Sequence, residues 1–243
     1  MKSAAFFDLD NTLMKGSSLF HLAKGLRKYG FFTKGEIRFF VRKHLKYIVL
    51  GKEVIRDLNA IKDIALQIAA GHKLEDVERI ADPVVDEYLM PKIYEETLLL
   101  GREHIAAGRE VWIVTATPWR LADVLAKRLG FTGALGSVGE VVDGVLTGKL
   151  IGNAMHGSEK GIAVRKLAEE RGWDLAECFA YSDSANDLPM LEAVGTAVAV
   201  NPDRRLRSHA KRKGWQIYDF RLSRFARKIN PLNLFSRRGR PGD

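Results

Sequence analysis

The chain has 243 residues, of which 46% are hydrophobic, 28% charged and 9% aromatic, and its formal net charge is +9. That composition excludes a disordered or collagen-like chain and allows one large domain, or a core with a smaller module. Apolar runs stay far below the roughly 18–20 residues of a membrane-spanning helix. A single cysteine excludes an internal disulfide framework, and the six histidines show no paired zinc-ligand spacing.

The first apolar run, residues 4–8, reads as a short buried strand ending on acids. The opening Met1-Lys2 turns acidic too soon for a secretory signal, so a cytoplasmic protein is expected. Some 95 residues without strand signal follow, with helical spacing over 18–29, 34–50, 53–70 and 74–88. Ile37, Val41, Leu45 and Ile48 form one such stripe. An insertion of this size is too large for a crossover and reads as a separate helical cap, entered at Gly16-Ser17-Ser18 and left at Leu89-Met90-Pro91. Residues 110–115, 178–182 and 196–200 repeat the pattern of the first run, with Cys178 as a packed, inert thiol. Residues 137–152 alternate around Asp143-Gly144 as a hairpin. Short, continuously apolar strands, each followed by polar residues and a helical pattern, predict an α/β fold with a mostly parallel, Rossmann-like sheet and function at its carboxyl edge. The expected organisation is a core of residues 1–15 and 96–213, a cap of 16–95 and a basic tail of 214–243. Residues 204–240 hold 13 Lys/Arg and one acid, a local charge of +12, which leaves −3 for the remainder.

Chemistry concentrates where two strands end. Asp8 and Asp10 stand two residues apart beyond the first, with Asn11 and Thr12 suited to a turn. Asp183 and Asp187 stand beyond the strand of 178–182. A parallel sheet brings all four carboxylates to one edge. Like charges gathered without a partner are costly, so a cation is implied, and hard oxygen donors that leave room for water and phosphate suit Mg²⁺. Taken singly, Thr115 reads equally as a plain strand-end residue, Lys160 as a solvated helix lysine and Asp187 as the cap of a helix starting at Leu188-Pro189.

As a set, these residues resemble a known family. Asp8-Leu9-Asp10-Asn11-Thr12 is similar to the first motif of the haloacid dehalogenase (HAD) superfamily, and Thr115 to the second. Lys160, in Glu159-Lys160-Gly161, is similar to the third, and Asp183-Ser184-Ala185-Asn186-Asp187 to the fourth. The order is the family's, and the helical insert stands where a C1-type cap belongs. The resemblance covers residues 4–200 and is strongest to subfamily IB, the phosphoserine-phosphatase-like branch. It implies a Mg²⁺-dependent phosphomonoester hydrolase in which Asp8 forms an aspartyl-phosphate. Asp10 would be acid and then base, while Thr115 and Lys160 bind the phosphoryl group. Asp183 would hold the metal together with Asp8 and the Asp10 carbonyl. Asp187 would support the metal's waters or orient Lys160, and Asn186 would touch phosphate. An acid at position 10 favours phosphoryl transfer over dehalogenation, which needs no proton for an alkoxide. His156, just before Lys160, is a further candidate for reaching substrate.

Departures from the branch bear on substrate. Phosphoserine phosphatases carry a Glu where this chain has Ser17, and a cap Arg where the gapless alignment places Ala65, so both charged readers of free serine are missing. The cap instead offers Phe31, Phe32, Phe39, Phe40 and Tyr47 among Lys and Arg residues. A lipid-related phosphate, such as a lysophosphatidate or phosphatidylglycerophosphate, is therefore expected. A soluble small-metabolite phosphatase, phosphoserine included, and a phosphotransferase are the rivals. The tail mixes Phe220, Leu222, Phe225 and Ile229 with cations and suits an anionic membrane surface. Nucleic acid is disfavoured for want of a recognised motif. A membrane- or nucleic-acid-binding protein on a HAD scaffold is the rival of another class. The chain is expected as a monomer or homodimer.

Overall fold

The structure is a computed structural model that describes residues 3–31, 35, 66 and 69–221. The expected helices over 34–50 and 53–70 fall almost wholly outside those residues. So do Ala65, most of the aromatic and basic cap residues, and the tail beyond Arg221.

In chain order the elements are β1 (Ala4–Phe7), α1 (Ser18–Lys28), α2 (Leu74–Val84), α3 (Glu95–Ala106), β2 (Glu110–Pro118), α4 (Trp119–Leu129) and β3 (Gly133–Ser137). They continue with β4 (Gly139–Val142), β5 (Val145–Leu150), α5 (Ser158–Arg171), β6 (Phe179–Ser182), α6 (Leu188–Leu191), β7 (Thr196–Val200), α7 (Arg204–Lys213) and β8 (Gln216–Tyr218). Six strands form one sheet in the order β3-β2-β1-β6-β7-β8, with every neighbouring pair parallel. Four of them are the apolar runs expected from sequence. The two edge strands, β3 and β8, carry too few apolar residues to announce themselves. β2 runs past Thr115 to Pro118, with a shift in its register to β3 between Val114 and Pro118.

Alternation along β1 builds both halves of the core. Ala5 and Phe7 face Leu100 of α3, Leu121 and Leu125 of α4, and Phe131. Ala4 and Phe6 face Val164 and Leu167 of α5, and Leu206 and Ala210 of α7. Such two-sided burial is what a parallel sheet with helical crossovers requires. The Phe7 ring stacks on Tyr181 at 4.2 Å, and the Tyr181 hydroxyl meets His104 Nε2 at 2.7 Å, so the polar tip of a buried ring is satisfied. Cys178 is buried, and burial pushes its thiol up, so it is unreactive.

The chain leaves and re-enters the core side by side. The Lys15 N–H donates to the Lys92 carbonyl at 2.8 Å and the Tyr94 N–H to the Leu13 carbonyl at 2.8 Å, with Met14 and Ile93 bridged between them. Before this return, α2 runs through a π-helical turn (Val85–Leu89) and a 3₁₀ turn (Met90–Lys92). Ion pairs tie α2 and that turn to α4: Arg128 binds Asp82 and Asp86, and Arg120 binds Glu78 at 2.9 Å. The hairpin β4–β5 turns at Asp143-Gly144, both at positive φ (49° and 78°), as a tight two-residue connection demands. Its turn and second strand pair with residues 71–74, including Leu146 N–H to the His72 carbonyl at 2.9 Å.

Leu125 is fully buried against the sheet, away from the strand ends. Leu125→Ala should cost about 2–5 kcal/mol of stability, measured by urea denaturation, while turnover per folded molecule stays within about twofold of the parent.

Candidate active site

The sheet order decides where the carboxylates meet. From β1 the chain moves outward through β2 and β3, then returns to β6 on the other flank, so β1 and β6 are neighbours at the switch of direction. Asp8 follows β1 and Asp183 follows β6, on adjacent parallel strands. Asp8 accepts a hydrogen bond from Thr12 Oγ1 at 3.1 Å, and its backbone N–H donates to the Tyr181 carbonyl at 2.9 Å. Beyond it the chain turns on Asn11 at φ 57°, a left-handed conformation that asparagine tolerates. Asn201, also at positive φ, braces the turn: its Nδ2 donates to the Asn11 carbonyl at 2.7 Å, and its Oδ1 accepts from the Phe220 N–H at 2.6 Å.

Lys160 enters from the first turn of α5. Its ammonium, only 3% exposed, donates to Asp8 Oδ1 at 2.5 Å and Asp187 Oδ2 at 2.8 Å. Asp187 also accepts from Ser182 Oγ at 2.7 Å. Although Asp187 stands at the N-cap of α6, its side chain makes no capping bond, because it is committed to Lys160 and Ser182. Gly161 permits this approach: a Cβ there would lie 2.5 Å from the Pro189 carbonyl oxygen, so only glycine lets α5 pack against the turn that carries Asp187. Burial alone would lower the Lys160 pKa, but the charges of Asp8 and Asp187 hold it above its ordinary value.

Asp10 points away from this pair toward the start of α1. Its Oδ1 accepts from the Ser18 N–H at 2.8 Å, with a weaker contribution from the Ser17 hydroxyl. Ser18 Oγ lies 2.8 Å from Thr117 Oγ1, which in turn accepts from Thr115 Oγ1 at 3.1 Å. A chain of hydroxyls thus runs from Thr115 to the residue that holds Asp10. Burial raises the Asp10 pKa despite the hydrogen bonds of Ser18.

The remaining candidates lie nearby in backbone roles. Asn186 is exposed on the turn after Asp183 and donates its N–H to Ser184 Oγ at 3.2 Å. Through backbone bonds to Ala154 and Glu159, His156 shapes the approach to α5. Ser17 is exposed at the N-cap of α1. Sequence reasoning gave Thr12 only a place in the turn and assigned no site role to Ser18, Thr117, Ser182, Asn201 or Asp203. Asp203 Oδ2 accepts from the Ala185 N–H at 3.0 Å, while its own N–H donates to the Asp183 carbonyl at 2.7 Å. Ser182 and Asp203 carried a signal, the former ending a strand run and the latter opening a basic helix, but nothing local ties either to the acids.

Among the described residues no group of three or more His, Cys, Asp or Glu side chains is arranged as a metal cage. The cluster still suits a hard cation that keeps most of its water. Asp183 receives no hydrogen bond to its carboxylate from the described residues. Burial, then the charges of Asp8 and Asp187, push its pKa up to about 8. Asp8 is pushed up to about 7, again first by burial, although Lys160 pulls it down. Burial with neighbouring carboxylates is the setting in which Mg²⁺ would be held, by one or two carboxylates plus waters and phosphate.

The profile of the haloacid dehalogenase-like hydrolases matches residues 5–192. The chain belongs to this family. It is 47% identical over 229 residues to the phosphoserine phosphatase SerB1 of Mycobacterium tuberculosis, covering 94% of this chain and 74% of that protein. It is 31% identical to the histidinol-phosphatase of Neisseria meningitidis, over 91% of this chain and 100% of the relative. A solved Bordetella pertussis protein of unknown function superposes with a TM-score of 0.78 at 27% identity, covering 90% of this chain and 99% of that one. This HAD hydrolase is a phosphatase of the phosphoserine-phosphatase-like kind. Among the described residues no helix is long and apolar enough to cross a membrane.

The raised carboxyls set a pH dependence for this HAD protein. Between the ordinary value of 3.8 and about 7–8, the metal-free fold holds protons on Asp8 and Asp183 that the unfolded chain releases. Its stability is therefore greatest below about pH 4 as far as these groups decide it, and falls as pH rises to about 8. Mg²⁺ should replace those protons. Thermal melts in EDTA and in Mg²⁺ should diverge from pH 5 to pH 8, with the Mg²⁺ increment largest at pH 8. An increment independent of pH contradicts the assignment of Asp8 and Asp183.

Proposed function

We propose that this chain hydrolyses phosphomonoesters through an aspartyl-phosphate on Asp8, with residues 1–15 and 96–213 as the catalytic core and 16–95 as a cap. The observation that carries the reading is the buried Asp8–Lys160–Asp187 contact at the end of β1, with Asp10 held two residues away. Asp8, Asp183 and the Asp10 carbonyl are the groups that would hold Mg²⁺, which when bound neutralises charge on the phosphoryl oxygens. Asp8 forms a bond to phosphorus as the bond to the ester oxygen breaks, and Lys160 offsets charge on the transferring group. Asp10, its pKa raised by burial, gives a proton to the departing alkoxide. The resulting carboxylate then takes a proton from the water that attacks the phospho-enzyme, releasing phosphate and restoring Asp8. The Thr115 hydroxyl can turn from Thr117 to a phosphoryl oxygen. Asp187 and Ser182 hold Lys160 in register, and Asn186 and His156 flank the entrance.

For substrate, the reading is a lipid-related phosphate rather than free phosphoserine. Ser17 stands where a serine-reading acid belongs, and its hydroxyl is drawn toward Asp10. Relatives named for phosphoserine and for histidinol phosphate indicate that the branch varies its substrates on one core. The basic tail, residues 214–243, is proposed to rest on an anionic membrane surface, with Phe220, Leu222, Phe225 and Ile229 set among its cations.

Asp8→Asn should abolish turnover and the acid-stable or trapped phospho-enzyme label. Asp10→Asn should still form the label while slowing hydrolysis of alkyl phosphates by about 10²–10⁴-fold, and p-nitrophenyl phosphate less, because its leaving group needs little protonation. Labelling with a ³²P-monoester and steady-state rates with Mg²⁺ check both. Near-normal rates for Asp8→Asn exclude the nucleophile assignment. Deleting residues 222–243 should weaken co-sedimentation with phosphatidylglycerol vesicles at least tenfold in 0.1 M salt. Unchanged sedimentation excludes the membrane role and leaves the enzyme reading intact.

A further inference from the structure

Beside the polar cluster lies a cavity of about 380 Å³ with walls of a different character. Leu22 and Leu26 of α1, Val77 of α2, Trp119 of α4, and Leu146 and Leu150 of β5 are among its lining. The cavity and the cluster share a wall. Leu19 follows directly on Ser18, whose N–H holds Asp10, and Leu22 stands one helical turn further on. Ala116 and Pro118, also lining residues, flank Thr117, whose hydroxyl meets Ser18. The apolar space therefore adjoins the segments that hold Asp10, at Leu19 beside Ser18 and at Ala116 and Pro118 beside Thr117.

Its volume falls within the range of small-molecule sites. At roughly 30 Å³ per water-sized group, it holds on the order of a dozen heavy atoms. The charged groups at its wall are otherwise engaged or peripheral: Arg120 pairs with Glu78 at 2.9 Å and stacks on Trp119 at 4.1 Å, and Lys149 is exposed. Among the described lining residues the charged side chains are Arg120 and Lys149, with no acid to read an ammonium.

Resting on the phosphatase reading above, we infer that this cavity is the leaving-group subsite and that its occupant is an unbranched alkyl or acyl chain of the substrate alcohol. Chain burial there supplies the binding energy that charged readers supply for a polar substrate, and it holds the ester oxygen against Asp10. Specificity then scales with apolar length until the cavity is full.

The experiment measures kcat/KM with Mg²⁺ for ethyl, butyl, hexyl and octyl phosphate below their micelle concentrations, beside phosphoserine. Each added methylene should raise kcat/KM about fourfold, the factor for burying one CH₂, with a plateau at the longer chains and phosphoserine at or below the ethyl ester. Val77→Phe, which fills the cavity, should lower the octyl-to-ethyl ratio of kcat/KM at least tenfold. A flat chain-length series in the parent protein overturns the inference whether or not the variant folds, and so does preference for phosphoserine. Failure to turn over any monoester with Mg²⁺, with no phospho-enzyme, instead overturns the catalytic reading on which the inference rests. Length dependence that appears only when the phosphate is presented in vesicles assigns the selectivity to the lipid surface and overturns the cavity as its source.

Discussion

An ammonium buried between two carboxylates holds this site in shape. Lys160 reaches Asp8 at 2.5 Å and Asp187 at 2.8 Å from a position almost closed to solvent. Charges in such a place are costly to desolvate, and the cost is met only if each keeps its partners. Removing any member leaves an uncompensated charge in the core. The contact also joins three separate pieces of chain, the end of β1, the first turn of α5 and the turn after β6. The position of Asp8 is thereby coupled to the packing of α5 and of the turn after β6.

Around that contact, the supporting bonds are local and mostly backbone. Thr12 and the Asn11 turn aim Asp8, the first turn of α1 aims Asp10, and Asp203 closes the loop bearing Asp183. The turn is braced by Asn201 from the end of β7. Chain entry to and return from the helical insert run side by side through Lys15–Lys92 and Leu13–Tyr94. Because α1 carries the donor to Asp10, its position bears directly on that carboxyl.

Two environments meet at the Ser18–Thr117 contact. On one side are carboxylates short of positive charge, with pKa values of Asp8 and Asp183 raised by burial. On the other is a cavity lined by leucine, valine and tryptophan. A phosphomonoester with an apolar alcohol has that same division, with its charge at one end and a hydrocarbon body at the other. Ser17 precedes this contact as the exposed N-cap residue of α1.

Much of the site was legible because its residues end strands. Apolar runs at 4–8 and 178–182 could only be buried parallel strands, and such strands deliver whatever follows them to one edge. Asp8, Asp10 and Asp183 could be read in this way, as could the Asp143-Gly144 turn. The order of strands could not be read locally, because pairing of β1 with β6 depends on contacts between residues some 175 positions apart. The weak edge strands β3 and β8 likewise exist only by pairing. For the same reason, Asp187 could not be told from a helix cap, nor Lys160 from a surface lysine, until α5 was packed over Gly161 and the ammonium lost its water. The hydroxyl chain through Thr117 and Ser18, the brace at Asn201 and the apolar cavity all lie between distant segments. Residue type and spacing state which chemistry is possible, but desolvation and contact are properties of the packed chain.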